Sequence, residues 1–355
     1  MKKFNLFSIA IMAMVFGNVS LMAEEDYPIG AAKGKFSVSE NKQVYISQGN
    51  LFFSSYDYMG DWIESWNFHE CDTAIVGKEH AWGDNYEYLI DLFGWGTSGF
   101  DGKSPYLTST DYKDYFVGHH SFFEKWKTSD ESDVMVEGYN YDWGSQPIKN
   151  GGNKEKQWRT PTYMELSYLL DRRTADDKPL AARGTIFGEN HKYYRGYFVY
   201  PDEVSLAATL MLKDDNNGFT INAFAENVYV ETLVPAGVIF LPCAGWRVGT
   251  DIYSDIDGND KMDESNAATT GWYWTSESVN YNSSYCMLFD AEGVWFEQTE
   301  RTIGAAVRLV QDVAGAQNIE TASVQNAASA KKMLRNGQVT ILRGEKEYTV
   351  LGTEL

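Results

Sequence analysis

Residues 271–310 constrain this chain more than any other stretch. They open on Gly271-Trp-Tyr-Trp-Thr-Ser276, run through Tyr285-Cys-Met-Leu-Phe-Asp290, and close on Arg301 and Ala306-Val-Arg-Leu-Val310. Short apolar runs rich in aromatic and β-branched residues, bounded by Asn, Ser and Gly, predict strands at 272–276, 284–290, 294–298 and 306–311. An aromatic opening and a Val-Arg-Leu-Val ending define a scaffold more sharply than they define a ligand, so function has to be read from the surface chemistry around them.

Elsewhere the pattern is mixed. Alternating apolar and polar residues over 36–53, broken by Glu40-Asn-Lys42 and Gln48-Gly49, predict a β-rich start, and further strands are expected at 197–200 and 238–241. Residues 61–152 carry few periodic runs and many Trp-Gly and Gly-Phe pairs, and read as long loops. One helix stands out. Thr162 is placed to cap it, Glu165 is placed to return the bond, and Leu166, Leu169 and Leu170 share one face until the pattern fails near 171–174. No internal repeat is evident. After Val313 the composition turns to Ala, Gln, Asn, Ser and Thr, predicting a linker over 313–331. Beyond it, Val339-Thr-Ile-Leu342 and Tyr348-Thr-Val-Leu351 flank Gly344-Glu-Lys346, as in a small β hairpin module over 332–355.

Lys2 and Lys3, an apolar stretch over 4–16, and Leu21-Met-Ala23 before Glu24 form the three parts of a secretory signal, so residues 1–23 are expected to be removed. That apolar stretch is shorter than the roughly 20 residues a spanning helix needs, and no membrane insertion of the mature chain is expected. The predicted location is extracellular or the outer cell surface, with the periplasm as the alternative. Thirty Lys and Arg against 50 Asp and Glu give a net charge of −20, and cleavage of the signal removes Lys2 and Lys3 but no acid. Such a surface repels phosphate backbones and anionic lipid, which argues against a nucleic-acid partner. The three cysteines, Cys71, Cys243 and Cys286, are too few for a disulfide framework. Cys243 and Cys286 both fall in strand-like segments. A bridge between them and two buried thiols are both open, and the thiols are favoured because Cys packs as a small hydrophobe.

Several blocks occur in order over residues 33–311: Gly34-Lys-Phe-Ser-Val-Ser39, Ser47-Gln-Gly-Asn-Leu51, Asp91-Leu-Phe-Gly-Trp-Gly-Thr-Ser-Gly99, Gln157-Trp-Arg-Thr-Pro161, Pro235-Ala-Gly-Val-Ile-Phe-Leu-Pro242 and Val307-Arg-Leu-Val310. Together they resemble the secreted Fibrobacter-type major paralogous domain. Through the Trp-Arg-x-Pro-Thr-x-x-Glu helix entry and the terminal Val-Arg, they also resemble the formylglycine-generating-enzyme (sulfatase-modifying-factor) branch of the C-type-lectin-like fold. The resemblance implies an α+β, C-type-lectin-like domain over 30–312 with long loops, displaying a variable binding surface on a fixed core. The formylglycine enzyme uses two neighbouring redox cysteines late in its domain, whereas here Cys286 stands alone in that region, so catalysis is not expected to carry over. Asn336-Gly-Gln-Val-Thr-Ile-Leu-Arg343 resembles terminal segments of exported proteins with type IX-like sorting roles. Arg159, Glu165 and Arg308 read as structural charges, because a guanidinium among apolar residues is costly unless paired.

Two constellations carry candidate chemistry. Asp255, Asp257, Asn259 and Asp263 place hard oxygen ligands at alternating positions, which suits Ca2+ as a possible cofactor, although Gly and Glu are missing from the sixth and twelfth positions of an EF-hand loop counted from Asp255. The other reading is a solvated acidic loop. Aromatics gather over 246–296, and Tyr281, Asn282, Tyr285, Trp295 and Glu297 are the expected ligand-binding residues. Rings stack on sugar faces while amide and carboxylate groups bond hydroxyls. The five histidines show no metalloenzyme spacing, although His69, Cys71 and His80 form a possible partial zinc set, and neither a nucleophile elbow nor a phosphate loop occurs. The expectation is an exported, surface-associated, non-catalytic module that recognises a glycan or a surface protein. A structural surface protein is the alternative, and an enzyme acting on polysaccharide or a sulfatase-type substrate comes third.

Overall fold

The computed structural model describes residues 27–59, 61–69, 87–115, 140–188, 192–260 and 268–313, together with the backbone of 331–335, 338–343 and 346–349. The expected signal peptide, 1–23, and all but the two ends of the expected linker, 313–331, lie outside the described residues, as do Cys71, His80 and Asp263. The alternation over 36–53 does build strands: β1 (Phe36–Ser39), β2 (Lys42–Ile46) and β3 (Leu51–Tyr58). The stretch expected as loops contains two more, β4 (Asp61–Phe68) and β5 (Glu87–Ile90), which flank β3 in one sheet. Only the end of β4 is buried, at Trp66 and Phe68, while Trp62 and Ile63 are exposed, so its apolar alternation is too short to stand out in sequence.

The helix α1 (Tyr163–Asp171) begins as its sequence dictates. Thr162 Oγ1 accepts the Glu165 N–H at 3.1 Å and Glu165 Oε2 accepts the Thr162 N–H at 2.9 Å, completing the capping box. Its Leu166, Leu169 and Leu170 are buried. After the two-residue pair β6 (Thr174–Ala175) and β7 (Lys178–Pro179) come β8 (Ala181–Phe187), β9 (Tyr193–Val199) and β10 (Ala223–Ala225). A short α2 (Glu226–Val228) then widens into a π-helical turn, Tyr229–Leu233, before β11 (Ile239–Pro242), β12 (Trp246–Val248) and β13 (Asp251–Tyr253). The diagnostic stretch supplies β14 (Gly271–Ser278), β15 (Ser283–Phe289), β16 (Val294–Glu300) and β17 (Val310–Asp312). The strand expected at 306–311 is shorter than its pattern, because Ala305 and Ala306 make only single bridges, to Phe93 and Tyr273. The C-terminal hairpin has a third strand: β18 (Lys331–Arg335), β19 (Gln338–Arg343) and β20 (Lys346–Thr349) form an antiparallel meander.

Two sheets separate three apolar cores. The sheet β14-β15-β16 has Tyr273, Met287 and Phe289 in one core, shared with α1, β1 and β2. Its other side supplies Trp272, Trp274, Cys286 and Leu288 to a tryptophan-rich core that also holds Trp66, Trp95, Trp143 and Trp158. The sheet β10-β8-β9-β11 likewise divides the first core from a third, which the π-helical turn closes with Tyr229 and Leu233. A strand buried on both faces must be apolar at successive positions, which is why β11 and β15 read as continuous apolar runs rather than alternating ones. Gly271 is required where it stands. A Cβ there would lie 2.2 Å from the ring of Phe289, its cross-strand partner.

The charged residues read as structural are wired into this frame. Arg159 donates from Nη1 and Nη2 to Glu165 Oε2 and Oε1, both at 2.7 Å, and again to Asp312 Oδ1 at 2.6 Å, while Lys42 reaches Glu165 at 3.0 Å. Arg308 donates to Asn50 Oδ1 at 3.2 Å and to the Phe240 carbonyl at 3.4 Å. The chain is a sheet-rich α+β protein, and no helix among the described residues is long and apolar enough to cross a membrane.

Candidate functional site

The register of β14-β15-β16 decides which expected residues can act together. Successive side chains of a strand point to opposite faces, and Tyr285, Cys286, Met287 and Leu288 pair with Gln298, Glu297, Phe296 and Trp295. Tyr285, Phe296 and Gln298 therefore share the face toward α1, and Trp295 and Glu297 share the opposite one. The five expected ligand-binding residues do not form one surface. Trp295 packs against the tryptophan-rich core, and Glu297 is exposed on that side.

On the α1 face three rings meet. Tyr163, the first helical residue, lies 5.3 Å from Tyr285 and 4.6 Å from Phe296 between ring centroids, the latter edge to face. All three are half-buried, so part of each ring faces solvent. Beside them Glu277 Oε2 accepts the Tyr163 N–H at 2.7 Å, filling one of the bonds a helix start leaves open. Burial pushes the Glu277 carboxyl up to about 7, aided by the nearby Glu165 and opposed by the Tyr163 N–H and Thr275. At neutral pH this group is poised to accept or to donate. Glu165, though buried, is held down to about 2, because Arg159, Lys42 and the Thr162 N–H outweigh the burial cost.

Tyr281 and Asn282 sit on the turn between β14 and β15. Asn280 Oδ1 accepts the N–H groups of Asn282 and Ser283 at 2.9 and 3.0 Å, an Asx-type turn. Arg301 locks it from beneath. Its backbone N–H donates to the Asn282 carbonyl at 3.0 Å, and its guanidinium donates to Ser278 Oγ at 2.9 Å and to the Asn280 carbonyl. That guanidinium stacks 4.5 Å from the Trp95 ring, and burial lowers it to about 9. The turn leaves Tyr281 47% exposed, edge to face with Tyr112 at 5.6 Å. Sequence reasoning missed Tyr163, Glu277 and Tyr112, and it counted Phe296 among the gathered aromatics without placing it in the binding set. Tyr163 opens a capped helix, and nothing local links it to Tyr285, 122 positions later.

The acidic loop is organised by its own backbone. Asp255 Oδ2 and Oδ1 accept the N–H groups of Asn259 and Asp260 at 3.2 and 2.9 Å, and the Asp255 carbonyl accepts Trp246 Nε1–H at 2.8 Å. Trp246 in turn stacks between Tyr253 and Trp272, at 4.8 and 4.9 Å. Among the described residues no three His, Cys, Asp or Glu side chains gather to hold a metal ion, and Asp263, expected with Asp255, Asp257 and Asn259, lies outside those residues. The bridge left open between Cys243 and Cys286 does not form. Both are buried free thiols, in cores on opposite sides of the β14-β15-β16 sheet, and burial pushes both well above the usual thiol range. His69 Nε2 lies 3.3 Å from Asp91 Oδ2.

Comparison with protein-family models, with curated proteins and with solved structures finds no match to this chain. What the fold and the site define is thus a sheet-rich α+β protein with half-exposed aromatic rings at one helix start and one sheet turn.

Proposed function

We propose that this protein is an exported, surface-associated recognition module on a C-type-lectin-like scaffold, non-catalytic, binding a carbohydrate or a protein surface through the α1 face of the β14-β15-β16 sheet. The observation that carries the reading is the half-buried trio Tyr163, Tyr285 and Phe296 beside Glu277, with Tyr281 exposed on the turn of the same sheet. Ring faces of this kind cover the apolar side of a sugar or anchor a protein contact, and a carboxyl titrating near neutrality supplies hydroxyl-matching hydrogen bonds. The signal-like first 23 residues and the strongly acidic composition support export and a solvated surface. The resemblance to the secreted Fibrobacter-type domain supports the same reading.

Glycan-array binding by the mature chain tests it, beside Tyr281→Ala and Tyr285→Ala variants and with calcium or chelator present. Saturable binding lost in the variants supports a lectin-like role, and loss on chelation alone brings the acidic loop back into the reading. Absence of binding across a broad array removes the carbohydrate and leaves protein contact to be tested by the same variants.

A further inference from the structure

The sheet β14-β15-β16 ends at β16, and the hydrogen-bond register decides which of that strand's backbone groups are spent. Opposed residues of an antiparallel pair alternate between exchanging both N–H···O=C bonds and exchanging none. Two bonds just outside β16 fix the alternation: the Asp290 N–H to the Gly293 carbonyl and the Arg301 N–H to the Asn282 carbonyl, both at 3.0 Å. In step with them are the pairs Leu288 with Trp295, Cys286 with Glu297 and Ser284 with Thr299. Trp295, Glu297 and Thr299 therefore bond to β15, while Val294, Phe296 and Gln298 aim their N–H and C=O groups away from it. Among the described residues no strand and no other backbone group takes those groups. Such a row of alternate donors and acceptors is what an extended peptide needs to join a sheet as a further strand.

The charge along this edge is one-sided. Residues 290–300 carry the acids Asp290, Glu292, Glu297 and Glu300 and no Lys or Arg, and Glu292, Glu297 and Glu300 are exposed. Half-buried Phe296 and exposed Gln298 stand on the α1 face and Glu297 on the other, so an added strand meets a ring and an amide on one side and a carboxylate on the other. A second copy of this chain would set the same acids against these, which disfavours self-pairing; a cationic strand is matched. We infer that the β16 edge binds an extended basic segment of a partner protein, its Lys or Arg side chains beside Glu297 and its apolar side chains beside Phe296. The inference goes beyond the reading of the α1 face, because it needs the outward backbone of β16 and neither Tyr163 nor Tyr285.

The test is titration of the mature chain with a capped peptide that alternates valine and lysine, with hydrogen exchange read at Val294, Phe296 and Gln298. One control peptide is N-methylated at every residue, which keeps its charge and removes its donors; another carries glutamate in place of lysine. The parent is compared with Gln298→Pro, Glu297→Lys and Tyr285→Ala. Gln298→Pro removes an outward N–H and no bond to β15, and proline is tolerated on an edge strand in that orientation. The expected result is saturable binding of the valine-lysine peptide that slows exchange at the three amides, is weakened about tenfold or more by Gln298→Pro and by Glu297→Lys, and is retained in Tyr285→Ala. The inference is overturned if that peptide does not bind, if either control binds as tightly, if both edge variants bind as the parent does, or if the three amides are already protected in the free protein. Loss in Tyr285→Ala alone would assign the peptide to the aromatic face and none of it to the edge.

Discussion

Tyr285 and Trp295 stand on neighbouring strands of one sheet and point to opposite faces, Tyr285 toward Tyr163 and Trp295 into the tryptophan-rich core. Their truncations should therefore separate. Trp295→Ala removes packing and is expected to destabilise the fold by about 1–3 kcal/mol, below the full cost of an indole lost from a core because the ring is only partly buried. Tyr285→Ala should cost less stability and most of the ligand affinity. Urea midpoints and binding measured on both variants check this. Equal loss of binding in two equally stable variants would contradict the division of faces.

The part of the fold legible in sequence was the part set by neighbours along the chain. Thr162 and Glu165 specify a capping box three residues apart, and β15 declares itself by a continuous apolar run. The strand β8 escaped notice because Arg183, Gly184 and Thr185 interrupt its pattern, yet all three are buried. Arg183 is accommodated by Asp215, which accepts its Nε–H at 2.8 Å, a partner 32 positions away that no periodicity reveals. The site was half legible for the same reason. The aromatic composition of 281–296 pointed to the right sheet, but face assignment needs the register, and Tyr163 reaches the site only through tertiary packing.

Arg159 and Glu165 form a buried bidentate pair that anchors α1 to β17 through Asp312. Removing one partner leaves the other charge buried without its match, so Arg159→Ala is expected to cost about 3–5 kcal/mol. The same pair sets an acid limit. Glu165 titrates at about 2 in the folded chain against an ordinary 4.5, so its contribution is fully present above 4.5 and is lost as pH falls toward 2. Acid unfolding followed by circular dichroism should show a steeper loss below pH 4.5 in the parent than in Arg159→Ala. Parallel curves would remove the pair from the account.

Cys243 and Cys286 occupy separate cores and their thiols are pushed well above the usual range by burial. In a Cys71→Ser background, native protein should leave both thiols unreactive toward an aromatic disulfide reagent, and denatured protein should titrate two. A native-state thiol count above zero, or fewer than two after denaturation without reductant, would contradict their burial as free thiols.

Glu277 gives a pH dependence of the opposite sign to Glu165. Its carboxyl titrates at about 7 in the folded chain against an ordinary 4.5, so between these values the folded state holds a proton that the unfolded chain has released. Stability therefore falls as pH rises from 4.5 to 7 and stays at the lower level above that. Asp142 adds the same sign at lower pH. It is buried and pushed up to about 6, although the Thr160 and Gly144 N–H groups oppose the rise. A Glu277→Gln variant keeps an oxygen to accept the Tyr163 N–H and carries no charge to desolvate. It is expected to be more stable than the parent by about 1–3 kcal/mol at pH 8, with the gap closing as pH falls through 7 toward 4.5. Urea unfolding of both proteins across that interval measures the gap directly. A gap independent of pH would mean that Glu277 is charged in the folded chain, and the hydrogen-bonding role assigned to its neutral form at the aromatic face would fall with it.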